Sequence, residues 1–413
     1  MTEKLRRSLT QRADYTHKHN AESGRHGWLR LTPAYSLKIV DEILLAYEGI
    51  SKINVFDPFC GTGTTALCAA YHGHSAVTVE INPFLVWFSR TKTDTYSTQV
   101  ISELTQAGHA VSDDIRHGKT PSASIPRMHN IERWWNASTL DFLCALKGAI
   151  DARFAKQTKQ RSLLLAAFCR TLIHLSNATF NHQSMSFKLG VQATFDFDID
   201  LCGIFTKNLN FVLGGARENP AGRVRVHLAD SCRLTKKDAD LVDCVITSPP
   251  YANRMSYIRE LRPYMYWLGY LVDGRDAGEM DWEAIGGTWG IATSRLGKWT
   301  APSHGFQSEL LSNAVEGIRK AENKNGQLLA NYVSKYFSDM WSHFQSLIGV
   351  LNNGARIHYI VGNSTFYGVL VPVEQIYAEM LSQLGFSNVE CVPIRKRNSK
   401  KELIEFDVRA RWK

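Results

Sequence analysis

The chain has 413 residues, with hydrophobic residues at 44% and charged residues at 21%. That balance excludes a disordered or fibrous polymer and supplies enough apolar mass for one large α/β core carrying a sizeable insertion or second lobe. The formal net charge of +9 fits a polyanionic partner but carries no information about fold.

Residues 1–30 contain Lys4, Arg6, Arg7, Arg12, Lys18, Arg25 and Arg30 among few hydrophobes, which reads as a basic arm, either a solvated tail or a strip laid on the core. From Thr32, TPAYSLKIVDEILLAYEG sets Ile39, Ile43 and Leu44 at helical spacing, with Pro33 near its start, so a helix is expected. INVFDPF then reads as a strand, CGTGTT as a turn, ALCAAYHG as a helix ending at a glycine, and SAVTVEIN as a second strand. Residues 53–82 therefore predict a βαβ unit, inside a first core segment spanning 31–95.

Residues 96–215 read as a helical insertion, through TLDFLCALKGAIDARFA and SLLLAAFCRTLIHLS, and are one candidate for a target-recognition lobe. Strand signals return in VRVHLADS and DCVITSPPY, so the core continues over 216–269. Residues 270–330, punctuated by Gly286, Gly287, Gly290 and Gly297, predict a variable loop region. The core closes over 331–413 with a helix around YVSKYFSDMWSHFQSLIGVL, the strand ARIHYIVGNS, and an antiparallel hairpin from NVECVPIRKRN and LIEFDVRARW. No internal repeat or low-complexity tract is present.

The eight cysteines, Cys60, Cys68, Cys144, Cys169, Cys202, Cys232, Cys244 and Cys391, form no C-x-x-C pair and no cysteine–histidine cluster of zinc spacing. No metal is expected, and apolar neighbours such as Phe59 and Leu67 suit buried reduced thiols. The amino terminus has no apolar h-region and no stretch approaches the roughly eighteen apolar residues of a membrane span, so a soluble cytoplasmic protein is expected.

Four strand ends carry chemistry. In Asp57-Pro58-Phe59-Cys60-Gly61-Thr62-Gly63-Thr64-Thr65, Gly61 and Gly63 permit a tight turn and close backbone approach, and the following helix N-terminus favours a carboxylate. A lone G-x-G is a weak signal; G-x-G-x-x-G and a Gly-Lys-Ser/Thr ending are both missing, against a dinucleotide site and a P-loop. Glu80, ending the second strand about twenty residues on, suits a ribose, the alternative being a surface strand-end glutamate. Asp230, after VRVHL, is either an acceptor for an adenine amine or a helix N-cap.

The decisive signal is Thr247-Ser248-Pro249-Pro250-Tyr251 after the strand DCVI, because two prolines at the end of a central strand cost ladder bonds that chemistry must justify. An exocyclic base amine is a poor nucleophile, its lone pair being delocalised into the ring. If the Ser248 hydroxyl and Pro249 carbonyl accept its two N–H protons, the nitrogen pyramidalises toward an electrophilic methyl group. The prolines offer no competing N–H. Tyr251 then stacks on a base flipped from the helix.

Together DPFCGTGTT, EINP and TSPPY resemble the cofactor and catalytic motifs of the amino-methyltransferases, particularly bacterial cytosine-N4 DNA methyltransferases. TPAYSLKIVDEIL and SYIRELRPYMYWLGYL extend the resemblance to about half the chain. It implies a Rossmann-like methyltransferase fold, with a mostly parallel seven-stranded sheet, a C-terminal antiparallel hairpin and the helical insertion, and S-adenosylmethionine as donor. It implies Asp57, Phe59, Gly61, Gly63 and Thr64 at the cofactor, Glu80 on the ribose, Asp230 near the adenine, and Ser248, Pro249, Pro250 and Tyr251 at the target amine. Serine at 248 leans toward cytosine N4. Duplex DNA is the expected substrate and a restriction endonuclease the expected partner, although solitary methyltransferases share these motifs. Adenine N6, structured RNA and a non-catalytic binding module are the rivals; C5 chemistry is disfavoured because no cysteine follows a proline.

Arg254, Arg259 and Arg262 are candidates for phosphate contact or plain solvation. Asn181 and His182, in a polar island with Gln183, are candidates for base edges or a closing lid, with loop polarity as the alternative. PYMYWLGYL reads as helix core before stacking platform.

Overall fold

A computed structural model describes residues 9–413 except 22, 32–34, 50, 155, 180–185, 188–198, 254–255, 303, 322–324 and 398–402, and of residue 186 the backbone alone. Seven strands form the main sheet: β1 (Asn54–Asp57), β2 (Ser75–Glu80), β3 (Val224–Leu228), β4 (Val242–Thr247), β5 (Leu351–Gly362), β6 (Ser387–Lys396) and β7 (Ile404–Arg411). Their order is β6-β7-β5-β4-β1-β2-β3. The pairs β1/β2, β1/β4, β2/β3 and β4/β5 are parallel, and β7 runs antiparallel to both β5 and β6. A doubly wound sheet with the penultimate position reversed is the Rossmann-like methyltransferase fold expected from the motifs.

The helices are α1 (Leu37–Leu44), α2 (Thr64–Tyr71), α3 (Pro83–Thr93), α4 (Thr98–Arg116), α5 (Ala137–Arg153), α6 (Lys159–His174), α7 (Leu201–Ala216), α8 (Tyr257–Trp267), α9 (Gly274–Glu283), α10 (Ile291–Lys298), α11 (Glu309–Lys320), α12 (Gly326–Leu347) and α13 (Val373–Gln383). Alternation along the strands feeds two cores. Val55, Cys244 and Ile246 pack under Ile39, Val40 and Ile43 of α1 and Ala66 and Ala69 of α2. Phe56, Val245, Ile357 and Tyr359 face the other way, beneath Tyr336, Met340 and Phe344 of α12 and Tyr377 of α13. A third core joins α4–α7 to α3 and α8 through Phe84, Leu143, Leu164, Phe168, Leu209 and Trp267. Within 96–215 the structure also has a two-residue ribbon pairing Ala178–Thr179 with Ser186–Phe187.

Of the two alternatives for residues 1–30, the described part is the strip laid on the core: Arg25 is 1% exposed, and Trp28 and Leu29 are buried. The Arg25 guanidinium donates to the carbonyls of Gly215 and Ala216 (3.0 and 3.1 Å) and of Lys92 (3.0 Å), and to Asn219 Oδ1 (2.9 Å). A cation thus satisfies carbonyls at the C-termini of α3 and α7 together, where the helix dipoles favour positive charge. The segment expected as a variable loop, 270–330, is largely helical, in α9, α10 and α11. Gly286 and Gly290, with positive φ (77° and 62°), mark the break between α9 and α10, Gly297 lies inside α10, and Asp273 and Ser308 cap α9 and α11.

Candidate active site

The strand order reverses between β1 and β4, where a crevice opens beyond the carboxyl ends. The two ends are tied together there. Thr247 Oγ1 donates to Asp57 Oδ1 at 2.6 Å, and the Phe59 backbone N–H donates to the same oxygen at 3.0 Å. Asp57 is buried, which pushes its carboxyl up to about 6 despite those donors. One carboxylate therefore sets the glycine turn and the start of the Ser248–Tyr251 loop in register.

Facing the crevice are Phe59, Gly61, Thr64, Glu80, Asp230, Ser248 and Pro250, with Leu31, Tyr35 and Tyr257. The glycine turn is built as its sequence requires: φ is 50° at Gly61 and 73° at Gly63, and a Cβ at Gly63 would lie 3.1 Å from Ser89 Oγ. Lys92, fully buried beneath the turn, donates to the Thr62 carbonyl at 2.8 Å, and burial lowers its ammonium to about 8.

At the end of β2, Glu80 accepts from the backbone N–H of Gly61 (2.8 Å, Oε2) and of Asn82 (3.0 Å, Oε1). Burial raises it to about 7, outweighing these bonds. Each oxygen keeps a lone pair for a further donor. Asp230 lines the crevice, and its Oδ1 caps the turn Ser231–Arg233 by accepting from Cys232 N–H at 2.9 Å. Phe59 rests against His343, ring centroids 4.8 Å apart. His343 is buried, with Nδ1 2.9 Å from the Ser231 carbonyl and Nε2 2.6 Å from the Tyr359 hydroxyl, and burial holds it down at about 4. A neutral imidazole so placed joins α12, β5 and the turn after β3. A cradle of positive-φ glycines with carboxylates at the next two strand ends fits a nucleoside-bearing amino acid such as S-adenosylmethionine.

In the catalytic loop, Ser248 and Pro250 face the crevice while Pro249 is buried. The Tyr336 hydroxyl donates to the Pro250 carbonyl at 2.8 Å and lies 2.6 Å from the Tyr377 hydroxyl. Tyr251, expected to stack on a flipped base, is held at its tip and over one face. Its hydroxyl donates to Glu405 Oε1 at 2.7 Å, and Arg397 Cζ lies 4.8 Å from the ring centroid. Its backbone N–H donates to the Tyr257 hydroxyl at 3.2 Å.

Of the basic candidates, Arg259 is exposed on α8. Arg262 lies over Trp289, 5.0 Å from the ring, with Nε donating to the Arg259 carbonyl. Arg254, Asn181 and His182 fall outside the described residues. The aromatic run on α8 is core: Tyr264 stacks on Phe84 at 5.5 Å, and Trp267 packs edge-on to Trp135 and Phe168. Among the described residues no group of His, Cys, Asp or Glu is disposed to hold a metal, and no helix is long and apolar enough to cross a membrane.

Tyr336, His343, Lys92, Arg397 and Glu405 escape the sequence motifs. Only Glu405 leaves a trace, as a carboxylate set opposite Arg395 across the β6/β7 pair.

No family model matches the chain. It is similar to the Type II methyltransferase M.AvaI of Nostoc sp., 22% identical over 93% of this chain and 84% of the relative. It is also similar to the Type II methyltransferase M.MvaI of Kocuria varians, 21% identical over 84% and 79%. A solved structure, the rRNA methyltransferase aviRa from Streptomyces viridochromogenes, covers 92% of this chain and is covered over 89% at 13% identity; its TM-score of 0.29 is too low to bear on fold or substrate. Sheet topology, together with similarity along most of the chain, identifies the protein as a methyltransferase related to the Type II enzymes, with S-adenosylmethionine the donor that they imply.

Proposed function

We propose that the protein methylates the exocyclic N4 amine of cytosine in duplex DNA, as the modifying half of a restriction-modification system. The observation that carries this reading is the position of Ser248-Pro249-Pro250-Tyr251: the loop leaves β4 tied through Thr247 to Asp57, and Ser248 shares one crevice with Glu80, Asp230 and the glycine turn. In this reading Gly61, Gly63 and Thr64 hold the amino-acid end of the donor, Glu80 its ribose, and Asp230 and Phe59 its adenine. S-adenosylmethionine, when bound, supplies an electrophilic sulfonium methyl group. The chain's own part is to aim the nucleophile: the Ser248 hydroxyl and Pro249 carbonyl accept the two amine protons, and Tyr251 supports the flipped base.

Similarity to Type II methyltransferases supports DNA as substrate and an endonuclease as partner. Serine at 248 supports cytosine over adenine. The helical segment 96–215 is assigned as the target-recognition lobe, and Arg259, exposed beside the loop, as a phosphate contact.

The test is transfer of labelled methyl groups to mixed-sequence duplex DNA and, in parallel, to total RNA. Label in DNA supports the reading. Label confined to RNA overturns it and moves the protein to base methylation of RNA.

A further inference from the structure

The contacts around Tyr251 come from a part of the chain that no catalytic motif includes. Arg397 follows β6, and its seat is built. Gly362, at the end of β5, leaves the space that the guanidinium fills, since a Cβ there would fall 2.8 Å from Arg397 Cζ. Arg397 Nη1 donates to the Asn363 carbonyl at 2.8 Å. Glu405, 3% exposed, accepts from the Tyr251 hydroxyl while Arg395 donates to both of its oxygens (2.7 and 3.2 Å). The ring is thus fixed at its hydroxyl by a neutralised buried carboxylate and covered on one face by a cation.

We propose that Arg397 and Glu405 are positioning residues that brace Tyr251 as a rigid platform for the target base. The inference rests on the reading of Tyr251 as the base-stacking residue. A planar guanidinium suits the task, because it stacks on a ring while its edge donates to a carbonyl. A lysine ammonium in the same seat carries the charge without the plane. Holding the ring in advance removes the entropy that a loose tyrosine loses when a base arrives.

The experiment is a double-mutant cycle with full-length protein, mixed-sequence duplex DNA and labelled S-adenosylmethionine. Arg397→Ala removes the guanidinium. Gly362→Ala pushes it off its seat through contact with a flexible side chain, leaving both Arg397 and Tyr251 in the sequence. Each single variant is expected to lower kcat/KM for DNA by about three- to tenfold, the size of one cation–π contact, with unchanged affinity for S-adenosylmethionine. The double variant is expected to be no worse than Arg397→Ala, both changes acting through one guanidinium. Arg397→Lys should not rescue.

Additive losses, rescue by lysine with restored salt dependence, or a parallel loss of cofactor affinity would overturn the brace. An activity-free readout separates it from the functional reading. The ring resonances of Tyr251, assigned by comparison with Tyr251→Phe, should move alike in Arg397→Ala and Gly362→Ala even if the wild type labels no DNA. Wild-type failure to label DNA sinks the proposed substrate, whereas unmoved resonances sink the brace.

Discussion

Replacing Glu80 with glutamine separates charge from shape at the proposed ribose site. The wild-type carboxyl is raised to about 7 by burial at the end of β2. The folded protein therefore holds a proton there that the unfolded chain releases at the usual carboxylate value. Between about 4.5 and 7 the native state binds the extra proton, so this group's contribution to stability declines as pH rises through that window. Cofactor binding runs the other way, because ribose hydroxyls donate to the carboxylate and a proton on it competes. With a free-protein value near 7, affinity should fall about tenfold between pH 8 and pH 6, as a one-unit excursion below the pKa requires. Glu80→Gln should lose about ten- to a hundredfold in affinity at pH 8, the worth of hydrogen bonds to a charged acceptor, and its pH profile should lack this component. Isothermal titration of S-adenosylmethionine from pH 6 to 8 measures both, with the variant as the blank for ionisations of the cofactor itself. A flat wild-type profile, or one that Glu80→Gln reproduces, would refute the reasoning.

Further outcomes follow from the same geometry. Thr247→Val deletes the buried donor to Asp57 and should cost about 1.5–3 kcal/mol in denaturant unfolding; a loss below about 0.5 kcal/mol would show that the tie between β1 and β4 carries no weight. Arg25→Met strands carbonyls at two helix ends and should destabilise by about 3–5 kcal/mol, seen as a lower denaturation midpoint or loss of soluble protein; unchanged stability would show that the buried guanidinium does not anchor the amino-terminal segment. Ser248→Ala should lower kcat by about a hundredfold or more while cofactor affinity stays put, and equal loss in both would mean that the hydroxyl is structural. Arg259→Ala should reduce the slope of log affinity for DNA against log salt by about one; an unchanged slope removes it from the phosphate contacts.

What the sequence discloses follows the reach of its interactions. The order strand, glycine turn, helix, strand over residues 53–82 is legible because each signal is local: β-branched runs, Gly61 and Gly63 at positive φ, and a helix closed by Gly73. The closing hairpin is legible for the same reason. Arg25 is not, since Gly215 and Lys92 stand 190 and 67 residues away and a buried arginine looks like a surface one until its acceptors converge. Nor is the hold on Tyr251, whose partner Glu405 is 154 residues on. In 270–330 the glycines predict loop, yet Asp273 and Ser308 cap helices within that segment. The dual use of Asp230, at once N-cap and crevice wall, shows why two readings of one strand-end acid stayed open.

The most direct test of the central claim is the identity of the methylated nucleoside. Purified protein is incubated with methyl-labelled S-adenosylmethionine and mixed-sequence duplex DNA, and the DNA is digested and its nucleosides resolved by mass spectrometry. The account predicts label in N4-methylcytosine, lost in Ser248→Ala. N6-methyladenine would contradict the base assignment carried by Ser248, and absence of label from every DNA nucleoside would contradict the proposed substrate.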